Sequence, residues 1–204
     1  AAKGQGAAVA ARFAAEGARV ALLDVLDEAG KATAESIARA SGSCFFAHCD
    51  VSRESDVAAA VAAAAERWGG LDILYNNAAV IRYGRKIAEL PVEEWDATLG
   101  VNLRGPFLCA KHALPHLIAR GGGSIVNVSS HGAFQASPTG IADYGVSKGG
   151  LLALTSYLAS EYGPQNVRAN SIAPGPVPTD LNAQFLQNEA GRRATEAMIP
   201  LRRL

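Results

Sequence analysis

The sequence predicts an α/β fold: a doubly wound parallel sheet with helices on both faces, in one domain over residues 1–204. Short runs rich in Val, Ile and Leu alternate with helical stretches, as strands buried on both faces and joined by crossover helices do. No linker rich in Pro, Gly or Ser divides the chain, and no internal repeat is visible. The opening "AAKGQGAAVA" places glycines at the start of a helix, where backbone can approach a phosphate.

Taken in order, an alanine-rich helix is predicted over 5–16, followed by a strand over 18–25, "ARVALLDV". A helix over 28–40 leads to "SCFFAHCDV" at 43–51, and a helix over 54–68, filled with high-propensity alanine, leads to "LDILYNNAAV" at 71–80. A helix over 101–119 ends at the turn glycines 121–123, before "SIVNVSS" at 124–130. The last pair is a helix over 144–162 and "VRANSIAPG" at 167–175. From Pro176 the rhythm breaks, with prolines at 176, 178 and 200 around a mixed polar helix, so 176–204 is expected as a lid on the substrate side.

Composition removes several classes. The chain is 49% hydrophobic and 19% charged, and its 19 Lys and Arg balance 19 Asp and Glu, so nothing points to nucleic acid or an anionic membrane. No apolar run reaches the roughly 18 residues that span a bilayer. Cys44, Cys49 and Cys109 form no CxxC pair and read as small buried hydrophobes of a reducing compartment, which gives the cytoplasm as the expected location. His112 and His116 lie four apart on a helix but have no evident third ligand, so they read as packing residues and no metal is expected.

The chemistry-bearing residues come in sets. Gly4 and Gly6 lack Cβ atoms, and Asp24 ends the next strand about 20 residues on, where a carboxylate can hold an adenosine ribose. In "YGVSK", Tyr144 and Lys148 lie four apart and share a helix face. A free tyrosine has a pKa of about 10, so acting near neutrality requires roughly 4 kcal/mol, which a cation about 4 Å away can supply. Ser129 and Ser130 end a strand, Asn102 starts a helix, and "NNAA" (Asn76 to Ala79) ends another strand.

In this order, Gly4–Gly6, Asp24, Asp50 with Val51, "NNAA", Asn102, Ser130, "YGVSK" and "PGPVPT" resemble the short-chain dehydrogenase/reductases over essentially the whole chain. The resemblance implies a Rossmann-type fold and hydride transfer between a nicotinamide dinucleotide and a secondary alcohol or ketone. It makes Tyr144 the general acid or base, with Lys148 beside it holding the nicotinamide ribose. Ser130 becomes the donor to the substrate oxygen, and Asn102 the holder of a water in the proton path. Cofactor binding falls to Lys3, Gly4, Gln5, Gly6, Asp24, Asp50, Val51, Asn77, Ala78, Ala79, Tyr144, Lys148, Pro174, Gly175, Val177 and Thr179. Asp24 repels a 2′-phosphate while Lys3 attracts one, and the carboxylate in direct contact decides for NAD over NADP.

The departures are local. Ser130 stands 14 residues before Tyr144 where the family has 13, which makes Ser129 the second choice and Ser137 a loop residue. Ala79 replaces a usual glycine. The family pattern begins with a strand and Thr-Gly-x-x-x-Gly-x-Gly, of which Ala1–Gly6 are the last six positions, and it continues beyond Leu204. The chain therefore reads as lacking its first and last strands, with poor stability alone as the expectation. The resemblance makes the helices at 101–119 and 144–162, rich in Ala, Gly and Leu, the ones that meet between subunits, and so implies a homodimer or homotetramer. The rival functions are a non-catalytic nucleotide-binding protein on this fold and a sugar-nucleotide epimerase or dehydratase. The substrate pocket is expected between the loop 131–143 and the tail 177–204, with Phe134, Phe185 and Leu186 as an apolar wall.

Overall fold

The parallel strands fall into two groups, joined through helices. This computed structural model describes residues 1–186 and 188–204, without the side chains of residues 41, 184 and 185. The N-terminal group is α1 (Gly4–Ala15), β1 (Val20–Asp24), α2 (Asp27–Ser41) and β2 (Cys44–His48), followed by α3 (Glu54–Trp68). The second group is β3 (Ile73–Asn76), α4 (Val92–Leu99), α5 (Gly105–Ala119), β4 (Gly123–Val128), α6 (Ala142–Tyr162) and β5 (Val167–Ile172). The short α7 (Ala183–Leu186) and α8 (Glu189–Met198) close the chain.

β1 pairs with β2 from Val20–Cys44 to Asp24–His48, and β4 pairs with β3 on one side and β5 on the other, all in parallel. Among the described residues no strand pairs with the second edges of β1 and β3. The two groups meet through a core of Val57 and Val61 on α3, Leu108, Ala113 and Leu117 on α5, and Ile125 and Val167 on β4 and β5. Phe13 on α1 also meets Tyr75 on β3 edge to face, with ring centroids 5.9 Å apart.

Helix existence follows the sequence pattern closely, but α4 had no signal of its own. Its eight residues carry a single buried side chain, Thr98. A π-helical turn at Gly100–Arg104 fuses α4 to α5. The glycine turn before β4 has a steric cause. Gly121 and Gly122 have φ of 90° and 121°, and a Cβ on Gly123 would fall 2.7 Å from the Asp72 carbonyl oxygen.

Candidate active site

Parallel strands end together, and here the carboxyl ends of β1 to β5 open onto one cavity of about 700 Å³. Every sequence-predicted site residue lines it except Gly6 and Asn102. Gly4 begins α1 with φ of 56°, a conformation glycine tolerates, so the helix N-terminus faces the cavity. Gly6 sits behind it. A Cβ there would lie 2.8 Å from the Ala1 Cα and 2.9 Å from the Asn77 Nδ2, so no larger residue fits without moving the turn.

Asp24 ends β1 with its carboxylate held by backbone donors. One oxygen accepts from the Ala2 N–H at 2.7 Å, the other from the Leu26 N–H at 3.0 Å. Burial raises its pKa, but these donors outweigh it and keep the group ionised below the usual range. Asp50 is held in the same way. Ser52 donates to it through N–H at 2.9 Å and hydroxyl at 2.7 Å, which lowers its pKa against a small desolvation cost. Lys3 is an exposed cation at the cavity edge.

The hydroxyls at the end of β4 divide their work. Ser129 donates to the Lys148 carbonyl at 2.8 Å, so its hydroxyl is spent on α6. Ser130 accepts from the Gly132 N–H at 3.1 Å, and its hydroxyl is near enough to the Tyr144 phenol to favour its ionised form. That separates the two serines, which spacing alone left one residue apart. Ser137, expected in the loop, pairs with the Thr139 hydroxyl at 2.8 Å.

Tyr144 and Lys148 share the inner face of α6, as their four-residue spacing requires. Lys148 is only 2% exposed and donates to the Val128 carbonyl at 2.7 Å. Burial lowers its pKa to about 8. Its Nζ lies 5.7 Å from the Tyr144 ring centroid, over the ring rather than at the hydroxyl. The expected Lys-driven depression of the phenol is therefore absent from this arrangement. Burial pushes the Tyr144 pKa above 10, and the Ser130 hydroxyl opposes without overcoming it.

Asn102 is fully buried behind the cavity wall. Its side chain accepts from the Val80 N–H and donates to the Val80 carbonyl, both at 2.8 Å, and donates to Ser147 at 3.2 Å. Its amide thus clamps the segment after β3 onto α6. Past β5, the Pro174 carbonyl accepts from the His131 N–H at 3.1 Å, tying Pro174 and Gly175 to the Ser130 loop. Thr179 starts the turn 180–182 through a reciprocal pair with Asn182, which also donates to the Val177 carbonyl at 2.8 Å. Leu181, Leu186, Thr195 and Met198 of the tail line the cavity. Phe134 does not, because it is 73% exposed on the outside of its loop, and the Phe185 side chain lies outside the described residues.

The helix N-terminus without a Cβ at Gly4 and Gly6, the ionised Asp24 and a cavity of about 700 Å³ fit a nicotinamide dinucleotide. A family model described as enoyl-(acyl carrier protein) reductase matches residues 1–204. 2-(R)-Hydroxypropyl-CoM dehydrogenase of Xanthobacter autotrophicus is 37% identical over 203 residues, 98% of this chain and 81% of its own. The chain belongs to the short-chain dehydrogenase/reductases. 2,5-Dichloro-2,5-cyclohexadiene-1,4-diol dehydrogenase of Sphingobium indicum is 36% identical over 92% of this chain and 74% of its own. The solved Pseudomonas aeruginosa RhlG/NADP active-site complex superposes with a TM-score of 0.92 at 29% identity, covering 99% of this chain and 80% of that one. The protein is thus an oxidoreductase of this family, with a Rossmann-like fold and a nicotinamide dinucleotide as its cofactor type.

Tyr83 carried no sequence signal. It stands in the loop after β3, outside any motif, yet it lines the same cavity as Tyr144. Among the described residues no three His, Cys, Asp or Glu side chains are placed to hold a metal ion, and no helix is long and apolar enough to cross a membrane.

Proposed function

We propose that the protein interconverts a secondary alcohol and a ketone using NAD, with Tyr144 as general acid and base. The observation carrying this reading is that Ser130, Tyr144 and the buried Lys148 line one cavity together with Asp24. NAD held along Gly4, Asp24 and Lys148 would supply the hydride acceptor for the carbinol carbon, and NADH the donor in the reverse direction. Tyr144 takes the hydroxyl proton as the C–H bond breaks and gives it back in the reverse direction. Ser130 donates to the substrate oxygen, where negative charge develops. Lys148 contributes a donor for the nicotinamide ribose, and Asn102 holds the wall through Val80.

NAD is preferred because Asp24 is ionised at the ribose end, and its charge opposes a 2′-phosphate more strongly than exposed Lys3 attracts one. The relatives named for oxidising a hydroxypropyl compound and a cyclic diol support a secondary alcohol. The segment 176–204 acts as the lid. A second copy of the chain covers the apolar face where Phe107 and Ile118 on α5 meet Tyr157 on α6, which are 48%, 37% and 67% exposed.

The test is a thermal melt with NADH and with NADPH, followed by NAD reduction over a panel of cyclic and aliphatic alcohols. NADH at 100 times its Kd should add about 2.7 kcal/mol of stability. Tyr144→Phe should lose at least ~10³-fold in kcat with an unchanged melt. Equal stabilisation by NADPH overturns the NAD preference, and a Tyr144→Phe enzyme of wild-type rate overturns the mechanism.

A further inference from the structure

The loop between β3 and α4 carries Tyr83 into the cavity between two anchors. On its N-terminal side, Arg82 donates to the Thr98 hydroxyl at 3.3 Å, and Thr98 donates to the Asp143 carboxylate at 2.6 Å. Thr98 and Asp143 are 0% and 2% exposed, and Asp143 is the residue before Tyr144. On its C-terminal side the loop pairs with the one ahead of α6. The Gly84 N–H donates to the Thr139 carbonyl at 2.9 Å, the Arg85 N–H donates to the Gly140 carbonyl at 3.3 Å, and Arg85 bridges Ile141 in parallel. This pairing is close enough to require Gly140. Its φ is 68°, and a Cβ there would lie 2.6 Å from the Arg85 nitrogen.

Tyr83 is therefore held by both flanks to the segment that carries Tyr144. The ring is half-buried, and the two phenols are near enough that charge on Tyr144 opposes ionisation of Tyr83. Ser130 and Tyr144 together bind one substrate oxygen. Gln135, His131 and Tyr83 line that cavity too, together with the apolar Leu181, Leu186 and Met198. A phenol hydroxyl both donates and accepts, so it can take a hydroxyl or a carbonyl.

We propose that Tyr83 determines specificity by binding a second oxygen of the substrate, which makes the substrate class an alcohol or ketone carrying a further hydroxyl or carbonyl group. This rests on the oxidoreductase reading above. Unlike the mechanism, it concerns which substrate is chosen, since Tyr83 exchanges no proton with the reacting oxygen.

The experiment compares cyclohexanol with 1,2-cyclohexanediol on the wild-type chain and on Tyr83→Phe, which keeps the ring and removes the hydroxyl. Two quantities are read: kcat/KM for NAD-dependent oxidation, and affinity by calorimetry with NADH present. The wild type should favour the diol, and Tyr83→Phe should lower the diol-to-monoalcohol ratio about fivefold, the factor supplied by one hydrogen bond of about 1 kcal/mol. A merely structural role would move both alcohols together and leave the ratio in place. A ratio within twofold of wild type in Tyr83→Phe overturns the proposal. A wild type without preference, or without measurable affinity for either alcohol, overturns it as well. If neither alcohol is oxidised but the affinity ratio falls as expected, the reaction assigned above fails while the role of Tyr83 stands.

Discussion

Around β1 and β2 the core consists of apolar side chains in simple contact: Ala10 and Ala14 of α1, Leu22 of β1, and Ala34 and Ile37 of α2. Around β3 to β5 it also contains polar groups bonded to each other. Asn76 donates to Asn127 at 2.8 Å, Asn127 donates to Thr155 at 2.9 Å, and Thr155 donates to the Leu151 carbonyl at 2.7 Å. Ser129 and Lys148 complete the set, and none of these buried side-chain atoms lacks a partner among the described residues. Apolar packing fixes how close two elements come, whereas a buried hydrogen bond also fixes their register. The first half need only present glycines and a carboxylate to a ligand. The second must hold a phenol and a serine hydroxyl close together, and it is built by the stricter means.

Two substitutions sharpen that contrast. Asn127→Ala removes the link between β3, β4 and α6, leaving the Asn76 amide and the Thr155 hydroxyl each short of a buried partner. It should cost about 4 kcal/mol in denaturant unfolding and lower kcat, because α6 carries Tyr144. Leu22→Ala empties part of the smaller core and should cost about 3 kcal/mol, raising the KM for NAD while sparing kcat. If Leu22→Ala lowered kcat as much as Asn127→Ala does, the division between the halves would collapse.

Lys148 gives the next effect, of opposite sign. Its ammonium is desolvated, with a pKa of about 8 in the fold against 10.5 for the free side chain. Below pH 8 both states carry the proton, and the fold pays for burying it. Between pH 8 and 10.5 the unfolded chain still holds the proton while the folded one does not, so stability rises with pH across that window, by about 3 kcal/mol in total. Lys148→Met should therefore abolish activity and stabilise the fold by about 1 to 3 kcal/mol at pH 7. The gain over wild type should shrink as pH rises from 8 to 10.5. A destabilised Lys148→Met, or a gain constant with pH, would refute the burial cost.

Much of this was legible in the sequence because it depends on short-range rules. Helical spacing alone puts Tyr144 and Lys148 on one face, and the run 54–68 gives α3 its observed limits. What escaped was set by contacts distant in sequence. Tyr83 reaches the cavity only because Gly84 and Arg85 pair with residues 139–141. The eight residues of α4 form a helix whose buried anchor, Thr98, finds its partner 45 residues on. The Tyr144 pKa departs from the helical-spacing expectation for the same reason. Spacing places Lys148 near the phenol, but the Val128 carbonyl, 20 residues away in sequence, decides where its ammonium points.

The placement of the Lys148 ammonium leads to the smallest expected effect. With Lys148 bonded to Val128, the group that lowers the Tyr144 pKa is Ser130, and burial raises it further than Ser130 can offset. Alcohol oxidation needs the phenolate, so its kcat/KM should climb with pH, and ketone reduction, which needs the phenol, should fall. Ser130→Ala removes the stabilising hydroxyl and leaves burial unopposed. Both limbs should therefore move to higher pH, separately from any loss in maximal rate caused by removing a donor to the substrate oxygen. Measuring kcat/KM from pH 6 to 10.5 in both directions tests this. A limb that stays in place while the rate falls would assign Ser130 to the substrate oxygen alone, and the control of the phenol in this half of the molecule would lie with burial.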